Sequence, residues 1–212
     1  MSSWRYLAAC SALLLVPLLG GAEETRPAEE PTAYPAPDKL IRQVANDLLQ
    51  RINANKDSYV DDPTKLHAMV NEVVLPHFDF ELISRLVLGS HWKQASEEQQ
   101  QRFQNQFKEL LLNTYGNALL QYSEETIDWK GAEYGDKPGR AQVASSVKAA
   151  GAAPVPIVYR LRETDDGWKV YDVAVDNISL VTNYRGTYAS EIRRGGLEAL
   201  IAKLEEKTAK AD

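Results

Sequence analysis

Cysteine is nearly missing from this chain of 212 residues, and the single one, Cys10, lies in a segment that reads as a secretory signal. Arg5 and the amino terminus form a basic start, Tyr6 to Leu19 an apolar stretch, and Gly20-Gly21-Ala22 the small residues expected before a cleavage site ahead of Glu23. The apolar stretch is too short to be a comfortable transmembrane helix. Leu7-Ala8-Ala9-Cys10 matches a lipoprotein processing box, but such a box closes the apolar stretch, and here the stretch runs on to Leu19. The match is read as fortuitous, so residues 1–22 leave as a cleaved signal and the mature chain holds no cysteine. That excludes thiol catalysis, thiolate metal sites and disulfides together.

Other absences narrow the field further. The three histidines, His67, His77 and His91, have no second histidine three or four residues away, and no zinc-ligand spacing occurs. The glycine pairs fall in the signal and at Gly195-Gly196, a helix break, so no loop is built to cradle phosphate. Loss of Arg5 with the signal leaves 23 basic against 30 acidic residues, a formal charge of −7, with no basic run. Such a chain is a poor partner for nucleic acid and has no polybasic clamp for anionic membrane.

What is present is a helical half followed by a strand half. Residues 23–37 contain Pro27, Pro31, Pro35 and Pro37 without apolar period, and are expected to be a disordered linker. Asp38 is a candidate cap for a helix with Leu40, Ile41, Val44, Leu48 and Ile52 on one stripe. Asp62-Pro63 opens a second helix carrying Leu66, Met69, Val70 and Val73, which Pro76 ends. Asp79 caps a third, Phe80 to Leu88, closed by Gly89. Ser96-Glu97-Glu98-Gln99 is a capping box opening the longest helix, to about Gln121. Its first half has one stripe, with Phe103, Phe107 and Leu110; from Leu110 onward Leu112, Tyr115, Leu119 and Leu120 add apolar groups on the other side, which calls for cover all round.

Strands are expected at 126–130, 142–148, 155–162 and 168–175, with Asp165-Asp166-Gly167 as the turn between the last two. Val155, Ile157, Tyr159 and Leu161 alternate with other residues and mark an inner face that Val143, Ser145 and Val147 can share. The parity of the fourth strand stays open, because Val170 and Val173 point opposite ways in a regular strand. Residues 179–191 and 197–207 return to helix, the latter with Leu197, Leu200, Ile201 and Leu204 on a stripe. The pattern is α+β: a helical part at 38–122, a sheet at 126–175, and C-terminal helices at 179–207.

Asp172 is the residue best placed for chemistry. On an apolar sheet face its pKa would rise and let it act as a general base in a pocket enzyme. The favoured reading is structural, with the carboxylate serving backbone N–H groups or an arginine such as Arg185.

Two ordered stretches carry a resemblance. The run from Phe78 through Gly89 (FDFELISRLVLG), with Trp92, Phe103, Phe107, Leu110 and Tyr115, resembles the MlaC, or toluene-tolerance, family. Trp168 to Val173 (WKVYDV), followed by Ser179 to Arg185 (SLVTNYR), is similar to the family's second signature; Asn177 stands where the family pattern has glycine. The resemblance spans about 36–207. It implies a curved, NTF2-like antiparallel sheet wrapped by helices with a helical subdomain, in a periplasmic protein without catalytic residues or cofactor. Its cargo would be a phospholipid, passed between an outer-membrane lipoprotein complex and an inner-membrane ABC transporter with an MCE-domain subunit to maintain outer-membrane lipid asymmetry. On that implication the acyl chains are lined by Phe103, Phe107, Leu111, Tyr115 and Leu119 of the long helix, by Val143, Val147, Ile157, Tyr159, Leu161, Val173 and Val175 of the sheet, and by Tyr184 and Tyr188. Ordinary core packing is the competing reading for each of them, and an NTF2-like pocket enzyme using Asp172 is the competing function.

Overall fold

The structure, a computed structural model, describes residues 34–121, 126–148 and 153–209. The expected signal and most of the linker lie outside the described residues. The last linker residues do not: the Tyr34 hydroxyl donates to the Asp165 carbonyl, and Pro37 is fully buried at the start of a helix. Proline at a first helical position loses no hydrogen bond, which is why the helix begins there and not after Asp38.

Helix α1 (Pro37–Asp61) kinks at Asn55, where the backbone leaves helical geometry (φ −133°). Asp62 then caps α2 (Pro63–Val73) by accepting from the Thr64 N–H at 3.1 Å. Asp79 caps α3 (Phe80–Leu88), accepting from the Leu82 N–H at 3.0 Å. The capping box ahead of α4 (Glu97–Gln121) forms reciprocally, with Ser96 Oγ accepting from Gln99 N–H and Gln99 Oε1 from Ser96 N–H, both at 3.2 Å.

The sheet is antiparallel, in the order β1 (Thr126–Tyr134), β2 (Arg140–Lys148), β3 (Val155–Thr164), β4 (Gly167–Val175), β5 (Ile178–Ser179). The α+β class expected from the pattern is the one found. β1 is longer than expected because an irregularity between Trp129 and Ala132 carries pairing on to Tyr134. The last helix, α5 (Leu180–Ala209), runs through Gly195-Gly196 as one kinked element; the kink is at Gly196, whose φ of 83° suits only glycine well.

Register settles the parity of β4. Leu161 pairs with Val170, yet the adjacent Arg160 pairs with Asp172, so Tyr171 is an extra bulged residue. The bulge brings Val170 and Val173 to the same face, opposite Leu161 and Tyr159. One sheet face thus carries Val143, Val147, Val155, Ile157, Tyr159, Leu161, Val170, Val173 and Val175.

The buried side chains form three separate clusters. One joins α3, α4 and α5 around Phe103 and Phe107; a second joins α1, α2 and the far half of α4 around Ile52, Leu66 and Leu112; a third places Leu40 and Ile41 of α1 on the sheet face at Val143, Leu161 and Val170. The two apolar sides of α4 therefore serve different neighbours, as its sequence required.

Candidate functional site: one sheet face, closed at one end and open at the other

Along β3 and β4 on the inner sheet face, apolar exposure rises from one end to the other. Val143, Leu161 and Val170 are at 0% exposure where α1 covers them. In mid-face Tyr159, Ile157 and Val173 are half-buried, joined by Trp129, whose ring stacks on Tyr159 at 6.3 Å. At the far end Val155 and Val175 reach 38% and 37%, and Ile178, paired with Val175, reaches 60%. Val147 remains buried on the same floor beside Ser145, whose Oγ has no hydrogen-bond partner among the described residues. Arg42 of α1 places its guanidinium 5.8 Å over Trp129, forming part of the wall.

The opposite side of the sheet is polar and tied down. Arg160 pairs with Asp172, and Arg162 with Asp79. Asp172, 6% exposed, also accepts from Ser179 Oγ at 2.7 Å and from the Val181 N–H at 3.2 Å, which fastens the start of α5 to β4. Its arginine is Arg160 and not Arg185; the Arg185 guanidinium lies against Gly89, where an added Cβ would sit 3.2 Å from it. A carboxylate whose oxygens already serve three donors is a structural tie.

The fourteen residues expected at the site separate into two groups. The seven on the sheet share the inner face. Of the helical set, Phe103 and Phe107 (0% and 1% exposed) stack on each other and meet Tyr188 edge-on at 5.9 Å, in a packed core with Tyr184 and Leu111 alongside. Leu119 belongs to the α1–α2 cluster. Tyr115 is exposed, and the structure brings it to Tyr184, whose phenol is pushed well up by burial and, next, by hydrogen bonding to Tyr115. Burial likewise raises Tyr188, whose hydroxyl has no partner among the described residues. The inner-face residues that sequence reasoning left unassigned to the site are Trp129, Val155, Val170 and Ile178. The period-two pattern could have supplied Val155, which the alternation already marked as inward.

A separate cleft of about 350 Å³ lies between α1, the Leu75–His77 turn and the β3–β4 hairpin, lined by Leu40, Val44, Trp168, Asp47, His77 and Lys169 among others. None of the fourteen residues lines it. With Asp47, Asp166 and Lys169 in its wall it is a worse host for hydrocarbon than the sheet face. Among the described residues there is no cluster of metal-ligating side chains, and no helix is long and apolar enough to cross a membrane.

Such an arrangement defines an α+β binding protein that offers a one-end-open hydrocarbon surface. The family model for the MlaC protein matches residues 42–206, and the chain belongs to that family. It is 29% identical over 177 residues to the intermembrane phospholipid transport system binding protein MlaC of Haemophilus influenzae, covering 82% of this chain and 83% of the relative. It is 32% identical over 165 residues to the toluene tolerance protein ttg2D of Pseudomonas putida, covering 77% and 76%. Among solved structures, the phospholipid-binding protein of Ralstonia solanacearum, determined in complex with a phospholipid, superposes with a TM-score of 0.77 at 30% identity, over 84% of this chain and 99% of that one.

Proposed function

We propose that this protein is a phospholipid carrier that shields acyl chain on the inner sheet face and leaves the headgroup in water. The observation that carries the reading is the graded face itself: nine apolar side chains in register, sealed at Leu161 and exposed at Val175. Burying methylene groups is worth ~0.8 kcal/mol each, so a chain of about sixteen carbons leaving a bilayer for water loses on the order of 12 kcal/mol. A carrier has to supply that cover. A phosphate left in water needs no buried cations, in keeping with an acidic chain that has no basic cluster. Membership of the family and likeness to a phospholipid-bound structure support the same reading.

On this reading residues 1–22 are cleaved on export and the protein works in the periplasm, exchanging lipid with an outer-membrane lipoprotein complex and an inner-membrane MCE-domain transporter. It is a binding protein and not an enzyme. The pocket-enzyme alternative loses its base, because Asp172 is occupied by Arg160, Ser179 and Val181 on the polar side of the sheet. Native and denaturing mass spectrometry of protein purified from membranes-containing cells is the test. A co-purifying phospholipid released on denaturation is expected; a protein that is always empty, and takes up none from vesicles, refutes the carrier.

A further inference from the structure

Resting on the carrier reading, we infer that Val155, Val175 and Ile178 form the port over which an acyl chain enters and leaves the inner face. Three of the seven large apolar side chains exposed among the described residues meet at this one end of the sheet. Register makes them continuous with the interior: Val155 pairs with the buried Val147, Val175 with the half-buried Ile157, and Ile178 with Val175. Isolated exposed aliphatics are ordinary on protein surfaces, but adjacent ones extending a buried row are not.

The turn at this end supports the assignment. Asp176 and Asn177 both adopt left-handed backbone (φ 49° and 63°), a conformation that costs most residues and that Asp and Asn tolerate. It folds β5 tightly back so that Ile178 lies beside Val175 on the inner face. Closing the hairpin needs only the turn residues. An isoleucine at 60% exposure adds little to its stability and is useful if hydrocarbon crosses it.

A port acts on rate more than on holding. Chain seated at Leu161 and Tyr159 is retained by the interior, whereas chain in passage exposes methylenes to water unless something covers them. Each methylene uncovered at the crest of the barrier slows passage about fourfold, so losing cover over two or three slows it about 15- to 60-fold.

The experiment uses mature protein loaded with pyrene-decanoyl phosphatidylcholine and follows transfer to unlabelled dioleoylphosphatidylcholine vesicles. Compared are wild type, Ile178→Ser, Ile178→Asp, and Val60→Ser, which alters an equally exposed aliphatic on α1. Serine keeps the surface uncharged, so Ile178→Ser reports on apolar cover even where Ile178→Asp disturbs the turn. The expected result is normal loading of all four, wild-type transfer for Val60→Ser, and transfer slowed at least about tenfold for both port variants. Port variants that load and transfer within about twofold of wild type overturn the port while leaving the carrier intact. Port variants that fold but come out empty also overturn it, since these residues would then hold lipid and not pass it. A wild type that takes up no probe refutes the carrier itself, and the port with it.

Discussion

Replacing Asp172 by asparagine separates a structural tie from a catalytic base, and the structure sets the size of the effect. The carboxylate accepts from Arg160, Ser179 Oγ and the Val181 N–H, and the residue is 6% exposed. Asparagine fills the same volume but turns one acceptor oxygen into an NH2 donor, so it must face at least one donor and loses its charge toward Arg160. A hydrogen bond to a charged group contributes about 1.5–3 kcal/mol, and a buried donor left unmatched costs about 1–3 kcal/mol. Arg160 keeps 37% exposure, so water replaces part of what it loses, which discounts the ion pair toward the lower bound. The net expectation is about 2–3 kcal/mol of destabilisation, or roughly 4–12 °C in Tm for a domain of this size. Thermal melting by circular dichroism and lipid extraction from the same preparation measure both sides: a lower Tm with lipid still bound is expected. An unchanged Tm together with lost transport, or with loss of any hydrolytic activity, would show that Asp172 acts on a substrate and that the structural assignment is wrong.

Ile157→Glu introduces a carboxylate in the middle of the inner face, beside Ser145 and Val175. In a ligand-holding surface open at one end the charge is hydrated, so the variant folds and purifies without lipid; a variant unfolded by circular dichroism counts against Ile157 as a lipid contact. Gly89→Ala forces a side chain into φ 57°, ψ −123° and toward Arg185, and should cost about 1–3 kcal/mol in urea unfolding; an unchanged midpoint refutes the strain argument. His77 has its pKa lowered from 6.5 by burial and then by the charge of Lys169, so the unfolded chain takes up that proton more readily than the folded one. Its contribution is present above 6.5 and is lost as pH falls below it, ahead of Glu191, Glu198 and Glu205, whose pKa values are lowered from 4.5 and which lose theirs in the more acid range. The drop in Tm between pH 7.5 and pH 5.5 should shrink in His77→Gln, and an equal drop in both proteins refutes the assignment.

Three helix starts were legible because caps are local chemistry: Asp62, Asp79 and Ser96 each make the bond their spacing implies, whereas Asp38 lies inside a helix that Pro37 already opens. The faces of β2 and β3 were legible for the same reason, since period-two alternation survives in any regular strand. β4 resisted because a bulge adds a residue without changing composition, and no property of Tyr171 in sequence says that it is the extra one. The division of the expected wall residues was hidden as well. A phenylalanine on a helix stripe reads alike whether it faces hydrocarbon ligand or, like Phe103 and Phe107, its neighbours' rings. The linker's end was misplaced because a single tyrosine among prolines gives no periodic signal, although Tyr34 is fastened to the β3–β4 turn.

The residues on which the resemblance to the family rests are largely ones that fasten the frame, and this explains what that resemblance can and cannot give. Asp79 of the first signature caps α3 and holds Arg162; Asp172 of the second holds Arg160, Ser179 and Val181; and Arg185 of the second lies on Gly89 of the first. Each is a specific polar or steric tie with few substitutes, so each leaves a readable mark in sequence. All of these ties lie away from the inner face, where Val155, Ile157, Val173 and Val175 supply generic aliphatic surface. Aliphatic side chains are interchangeable at a cost of about 1 kcal/mol if volume is kept, so the surface that would meet the lipid is free to vary in detail while the frame is not. It follows that substitutions among Val, Ile and Leu on the inner face should retune which acyl chains are held without unfolding the protein, whereas changes at Asp79, Gly89 or Asp172 should act on stability first and on lipid only through it. Melting temperature and the acyl composition of extracted lipid, measured on Val173→Leu and on Asp79→Asn, distinguish the two: altered acyl composition at unchanged Tm for the former and lowered Tm at unchanged composition for the latter are expected, and the reverse pattern would refute the separation of frame from surface.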